Sequence, residues 1–535
     1  MTHTSSWFVT PPFSVIAPHT PSIAADDAPG PRRALVLAGG GMRVAYQAGA
    51  IRALAEAGLR FAHGDGTSGG TINLAMLLSG VPPAEMCDRW RTLDPKAFAS
   101  PTSIEEYLKL PNAMALGDAD GVTGTVFPHL GIDVGRVRAA RGIDGTFNVC
   151  NFTRKTAEAI PHTDIDLDLL VAGISLPIFM PPVRARGATW TDAVWIKDAN
   201  LLEAVRRGAD EIWLVWCIGN TPTYYPGAFR QYVHMIEMSA CGVLHEELRR
   251  IAEINQDVAF GERPYGRTRP VVLHVIKPRT ALPLDPDFFF GRVDARTLVA
   301  LGYLDAVRYL DAMRAEGVPL TPEATQMQDE PLGITFRETM AGPFALGVDD
   351  PKAGAAAGER AATTLTMHAT VTVHDVQRFV ADPTHTGELV GEIDFPPLGT
   401  GIPARAGVFR LFSAGGTPGL KYMVYELGFQ HDGRRYYLAG KKEVRNDAGL
   451  DMLSDTTTLF TRLHEGDDAN GPVVGAGVLH LDMGDFAKLM STIRPVGARS
   501  MTEGAEAVMT FSRFFAGQLI DSYGGAVGRM MGGGA

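Results

Sequence analysis

Two short segments near the start of the chain hold residue types that suit acyl transfer. Gly39-Gly40-Gly41-Met42-Arg43 is a glycine-rich turn whose backbone N–H groups can face a developing oxyanion. Gly66-Thr67-Ser68-Gly69-Gly70 follows closely and frames a serine in glycines. A serine on a sharp strand-to-helix turn presents its hydroxyl as a nucleophile, provided a base lies within hydrogen-bond reach.

The flanking residues predict the elements that must hold these groups. Arg33 to Ala38 is a short apolar run bounded by glycines, as expected for a buried parallel strand. Ala45, Ala48, Ile51, Leu54 and Ala55 then recur at helical spacing until Gly58. A second strand is expected over Leu59 to Ala62 or a little beyond, leading to Ser68. A helix follows through Ile72, Leu74, Ala75 and Leu78. The glycine turn thus sits where the unpaired N–H groups of a helix N-terminus point outward. A dinucleotide-binding reading fails, because Val44 stands where its fingerprint needs glycine or alanine. Glycines that merely let strand and helix pack closely are the bland alternative for either segment alone.

The order of the motifs separates hydrolase types. In an α/β-hydrolase the nucleophile comes after several strands and a later histidine completes a triad; here Ser68 ends what reads as the second strand. The pair Gly39-Gly40-Gly41-Met42-Arg43 and Gly66-Thr67-Ser68-Gly69-Gly70 resembles the oxyanion and nucleophile motifs of the patatin-like phospholipase family, over about residues 31 to 320. The resemblance implies a three-layer α/β sandwich with a mostly parallel central sheet, and a Ser–Asp dyad. It implies an oxyanion hole around Gly39, Gly40, Gly41 and Gly69. It extends to Ala172–Val183, similar to the family's strand and turn before the aspartate, and to Thr189-Trp190-Thr191-Asp192-Ala193-Val194, which stands where Asp-Gly-Gly or Asp-Gly-Ala is expected. Asn200 to Ile212 resembles the helix, turn and strand that come next.

On this resemblance Ser68 is the nucleophile and Asp192 the general base. Asp198 is the rival base, with a turn-forming role as its alternative. Arg43 is read as a group that attracts an anionic head group or stiffens the loop, against a surface salt bridge. His234, His245 and His274 keep a histidine triad open, although each suits a packed or solvated helix or core position. Val44, and Ala193 in place of glycine, depart from the family pattern. Ala193 is tolerable at negative φ and troublesome otherwise.

The implied activity is a lipid acyl hydrolase of phospholipase A or esterase type, acting through a covalent acyl-enzyme. The alternatives are a lipid-binding or scaffold protein with a decayed site, and an acyltransferase using the same dyad. No cofactor or metal is implied. The partners expected are a lipid or other ester substrate and peripheral membrane contact. A net charge of −11 argues against nucleic acid. Composition is ordinary globular, 45% hydrophobic and 20% charged over 535 residues, enough for two or more domains. No apolar run approaches a membrane span, residues 1–30 show no secretory signal, and four scattered cysteines suit free thiols. A cytoplasmic location is expected.

Residues 1–30 read as a flexible tail and 31–325 as the hydrolase domain. Within that domain, Lys96 to Gly145 reads as an insertion with a helical piece at Ile104 to Leu110. Its apolar residues Leu108, Leu110, Met114, Leu116, Val126 and Phe127 suit an acyl pocket or a small local core. Prolines 319, 322 and 331 mark a boundary, and 331–525 reads as an antiparallel β-sandwich or barrel with a C-terminal helix over Thr502 to Tyr523. His431-Asp432-Gly433 and Asn446–Gly449 are its hairpin turns. The helix is expected to dock on the core in preference to a membrane surface, and 526–535 to be disordered. Segments Phe336–Gly342, Lys421–Leu427, Leu438–Lys442 and Asp455–Leu459 resemble a β-module appended to some glucose–methanol–choline oxidoreductases of the cholesterol-oxidase-like branch, with no flavin fingerprint beside them.

Overall fold

The computed structural model describes residues 16–25, 30–98, 100–101, 115, 117–415, 420–445 and 457–532. Its first half is built on an eight-stranded sheet in which five parallel strands run in the spatial order β8-β7-β1-β2-β3. These are β1 (Arg33–Leu37), β2 (His63–Thr67), β3 (Asp144–Asn151), β7 (Glu211–Val215) and β8 (Val272–Ile276). Beyond β3 the sheet turns antiparallel through β4 (Thr156–Pro161), β5 (Val183–Ala185) and β6 (Ala188–Asp192).

Alternate residues of each strand feed two cores, as a sheet covered on both faces requires. Leu35 and Leu37 face one core with α1 (Ala45–Glu56), α2 (Gly69–Leu78), α3 (Pro83–Thr92) and α8 (Ala295–Ala312). Ala34 and Val36 face the other, with α5 (Leu201–Arg206) and α6 (Ala228–Ala259). Helix α4 (Leu167–Ile174) packs on the first core, and short α7 (Asp285–Phe289) follows β8. The crossing of α1 and α8 is close because Gly49 and Gly302 face the opposite backbone; a Cβ at either would overlap a carbonyl oxygen of the other helix.

The second strand departs from its expected place. It is His63-Gly64-Asp65-Gly66-Thr67, buried throughout, and Leu59 to Ala62 is the lead-in. Its glycines are there because α2 lies directly on it: a Cβ at Gly64 would stand 2.7 Å from Leu74, and one at Gly66 2.9 Å from the Gly70 carbonyl oxygen. The segment Leu167–Ile174 is likewise a helix, N-capped by Asp166, where the sequence around Ala172 resembled a strand. Part of the expected N-terminal tail is packed: Ile23 is buried and His19 meets the Leu78 carbonyl at 2.8 Å. Val126 and Phe127 join the first core, while Leu108, Leu110, Met114, Leu116 and the Ile104–Leu110 helix lie outside the described residues.

The second half is a closed antiparallel barrel, which resolves the sandwich-or-barrel expectation. Its strands are β9 (Gly333–Leu346), β10 (Thr364–Val373), β11 (Thr386–Phe395), β12 (Gly399–Ala414), β13 (Leu420–His431), β14 (Arg434–Arg445), β15 (Thr458–Glu465) and β16 (Val473–His480). Neighbours pair in sequence, and β9 closes the ring by pairing with both β10 and β16; short β17 (Arg494–Val496) adds to the start of β9. Strands β9 and β11 were not legible as strands, since Gly342-Pro343 and Gly387 with Gly391 interrupt their patterns. The Asp432-Gly433 turn has positive φ at both residues, 47° and 75°, as a two-residue hairpin needs. Asn446–Gly449 lies outside the described residues. The final helix α9 (Met501–Gly532) extends the expected one into the region read as disordered, and docks on the barrel through Ala507 and Phe511. Among the described residues no helix is long and apolar enough to cross a membrane.

Candidate active site

Ser68 stands between β2 and α2 with φ 51° and ψ −129°, a conformation that L-residues avoid. The turn is held by close packing at both glycines that follow it. A Cβ at Gly70 would overlap the Leu37 carbonyl oxygen, and one at Gly69 would lie 2.7 Å from Val44. Val44, a departure from the family pattern, is therefore a buried side chain fitted to the missing side chain of Gly69.

The Ser68 hydroxyl donates to Asp192 Oδ2 at 2.7 Å, across 124 positions of sequence. Asp192 ends β6, and its other oxygen accepts the Val194 N–H at 2.9 Å. Burial pushes this carboxyl up to about 7, against the downward pull of its bonds to Ser68 and Val194. Ala193 lies outside the positive-φ region, so the missing glycine costs no backbone strain.

Asp198 lies on the other side of the glycine turn and accepts the Gly39 N–H with both oxygens at 3.1 Å. Burial, and after it the charge of Asp192, raises this carboxyl well above the ordinary range. The Gly39 N–H is spent on Asp198, which removes Gly39 from the expected oxyanion donors. Asp285 accepts the Met42 N–H at 3.1 Å, and its carboxyl is raised by burial. Of the four glycines expected to supply oxyanion donors, Gly40, Gly41 and Gly69 remain as candidates, Gly69 being the first residue of α2.

Arg43 is not a surface ion pair. It is buried, and donates from Nε to Gly40 O at 2.9 Å and from Nη1 to Ile218 O at 2.8 Å. The guanidinium thereby braces the glycine turn against the loop after β7. The expected head-group contact has no support here, because these two donors are turned into the loop.

Beneath Ser68 runs a buried polar seam. Thr146 Oγ1 and Asn148 Nδ2 donate to Asp65 at 2.5 and 2.6 Å; Asn148 also bonds Thr67, and Asn200 Nδ2 donates to Asn148 Oδ1 at 2.8 Å. Burial pushes Asp65 up to about 7 and His63, bonded to Thr146, down to about 3. Beside Asp192, Tyr232 stands between Phe179 and Trp195, each ring 5.7 Å away, and donates to Pro177 O. Sequence reading missed Asp285, Asp65 and this aromatic wall. Only Asp65 left a local signal: a charged residue in a strand that must be fully buried.

The histidines stand apart from the serine. His234 bonds Glu237 and the Tyr225 N–H, and His274 stacks on Trp213 at 4.2 Å and bonds Tyr309. Cys87, Cys150, Cys217 and Cys241 are free and buried. Among the described residues no group of three or more His, Cys, Asp or Glu side chains could hold a metal ion.

A serine bonded to one aspartate, between two glycine turns of adjacent βα units, is the arrangement to compare with known proteins. Residues 35–205 match the family model Patatin-like phospholipase. The patatin-like region thus covers β1 to α5 and includes both Ser68 and Asp192. Among solved structures, the crystal structure of VipD from Legionella pneumophila matches at 12% identity and a TM-score of 0.28, covering 57% of this chain and 72% of that one. The comparison with curated proteins gives no match.

Proposed function

We propose that the chain is a serine ester hydrolase that cleaves lipid-class acyl esters through Ser68 and Asp192. The observation carrying this reading is the 2.7 Å hydrogen bond from the Ser68 hydroxyl to a buried carboxylate raised to about 7. Asp192 accepts the serine proton as Oγ attacks the carbonyl carbon. A base poised near neutrality suits a step in which the proton must be taken and then returned. The tetrahedral oxyanion is held by the N–H groups of Gly40, Gly41 and Gly69. Losing one such donor costs about 3–4 kcal/mol of transition-state stabilisation. Asp192 then passes its proton to the leaving alcohol. Water attacks the acyl-enzyme, Asp192 takes the water proton, and the serine hydroxyl is restored as the acid departs.

The lipid class is supported by the match to patatin-like phospholipases and by the apolar surface beside the dyad. Phe179 and Ile178 are exposed on the loop before β5, and Met235 and Met238 on the adjoining helix α6. An acyl chain would gain about 0.8 kcal/mol for each CH₂ it buried on such a surface.

The test is a fluorophosphonate probe applied to the full chain. Ser68→Ala abolishes labelling, and Asp192→Asn slows ester turnover by about 10²–10⁴-fold, the usual contribution of a general base. Asp198→Asn keeps an acceptor for Gly39 and stays within about tenfold of the parent. Folded protein that never labels favours the binding-protein alternative, and a dead Asp198→Asn beside an active Asp192→Asn reassigns the base.

A further inference from the structure

Between the patatin-like half and the barrel lies a cleft of about 1160 Å³, just above the usual range of about 300–1,000 Å³ for small-molecule sites. One wall is the segment 278–284 with α8. The other is the outer face of β9, β10 and β11 with residues 493–501 and the start of α9. Leu298, Leu301, Val390, Ile493, Val508 and Met509 supply apolar surface. Neither Ser68 nor Asp192 lines it, although Arg43 does, from the far side of the glycine turn.

The charges on this wall are unbalanced in a specific way. Every carboxylate is already engaged. Glu388 is held by Arg308 and His374, Glu330 by His374, and Asp305 by Tyr46 and Arg308. Asp287 is held by Arg292, and Glu237 by His234. Arg279 and Arg494, by contrast, have no carboxylate within ion-pair distance among the described residues, though both line the cleft. Arg494 is half-buried, and burial pulls its guanidinium below its ordinary value despite the attraction of Asp287 and Glu330. Arg279 comes from the segment on one wall and Arg494 from residues 493–501 on the other, with the bonded pair His374–Glu330 also lining the cleft. A half-buried cation without a partner is costly, and a bound anion removes that cost.

We propose that this cleft binds a phosphoryl-bearing anionic ligand with an apolar portion, its phosphoryl group gripped by Arg279 and Arg494. Two guanidinium forks offer parallel donors that match the several oxygens of a phosphoryl group better than the two of a carboxylate. The apolar stretch of wall takes the remainder of the ligand. This site is separate from the serine and does not rest on the ester-hydrolase reading.

Isothermal titration calorimetry tests it on the whole chain carrying Ser68→Ala, so that an ester probe stays intact whether or not the parent protein is a hydrolase. The probes are inorganic phosphate, dihexanoyl phosphatidic acid below its micellar concentration, and dihexanoyl phosphatidylcholine as the zwitterionic control. Saturable binding of at least one of the first two is expected, with the control and the R279Q/R494Q variant each weaker by about tenfold or more. Comparable binding of phosphate and phosphatidic acid identifies a free phosphoryl compound as the source. Binding of phosphatidic acid alone identifies a lipid head group. Arg279 is exposed, so R279Q keeps the fold and its weakened binding decides the matter if the double variant does not fold. No saturable binding of either probe, equal binding of the control, or unchanged affinity in folded R279Q/R494Q overturns the proposal. Failure of fluorophosphonate labelling would sink the hydrolase reading and leave this titration untouched.

Discussion

In the proposed reaction the Asp192 carboxyl has to lose its proton before it can take one from Ser68, and burial raises the pH at which that happens. With Asp192 raised to about 7, ester turnover is expected to rise with pH through that value. A profile of kcat/KM from pH 5 to 9 checks this; a rate already flat at pH 5 would mean a base with an ordinary carboxylate pKa. The sign for stability is the opposite. Asp192 and Asp65 both hold protons more tightly folded than unfolded. Their contribution to stability is therefore present at low pH and is lost as pH rises from about 4 towards 7. Removing Asp65 strands the Thr146 and Asn148 donors beneath the nucleophile. Asp65→Ala is expected to cost about 2–4 kcal/mol, read by urea unfolding.

At the scale of elements, the site is positioned by places where side chains are missing. Gly64, Gly66 and Gly70 let α2 lie on β2 and β1, and this contact forces Ser68 into its strained turn. Gly49 and Gly302 let α1 cross α8 at backbone distance. Gly302→Ala places a methyl group against the Tyr46 carbonyl oxygen, where neither rigid helix can yield cheaply. A loss of about 1–3 kcal/mol is expected, seen as a lowered Tm with the barrel intact. Gly433→Ala, at φ 75° but with open space around it, carries only the conformational penalty of the left-handed region and is expected to cost about 1 kcal/mol.

The whole molecule is joined by charge. Glu392 on β11 is fully buried, and its two oxygens take Arg91 from α3 and Arg296 from α8. Glu388 on the same strand face takes Arg308, and Arg337 of β9 takes Asp294. The acidic positions of β11 alternate with Leu389, Ile393 and Phe395, which face the barrel core. Glu392→Gln leaves two guanidinium groups at a closed interface without their counter-charge. A cost of about 3–5 kcal/mol is expected, with the single denaturation transition splitting into two as the halves uncouple. One unchanged cooperative transition would show that the pair is dispensable.

Local pattern sufficed for the parts of this chain whose chemistry is local. The glycine turn, the serine in its glycine frame, β1, α1, α2 and most barrel strands are written in residue type and period, because backbone sterics and one-sided burial act over a few residues. Asp192 was legible only beside a family resemblance, since nothing within ten residues of it says that it faces a serine. Strand β2 was expected but placed a few residues early, and β9 and β11 escaped because Gly342-Pro343 and Gly387 with Gly391 interrupt their hydrophobic alternation. Asp285 on Met42, Asp198 on Gly39 and the inward turn of Arg43 had no local signature at all. Hydrogen bonds between groups far apart in sequence depend on which backbone N–H a folded chain leaves unpaired, and that is decided only when the sheet, its helices and the loop after β7 have closed around the glycines.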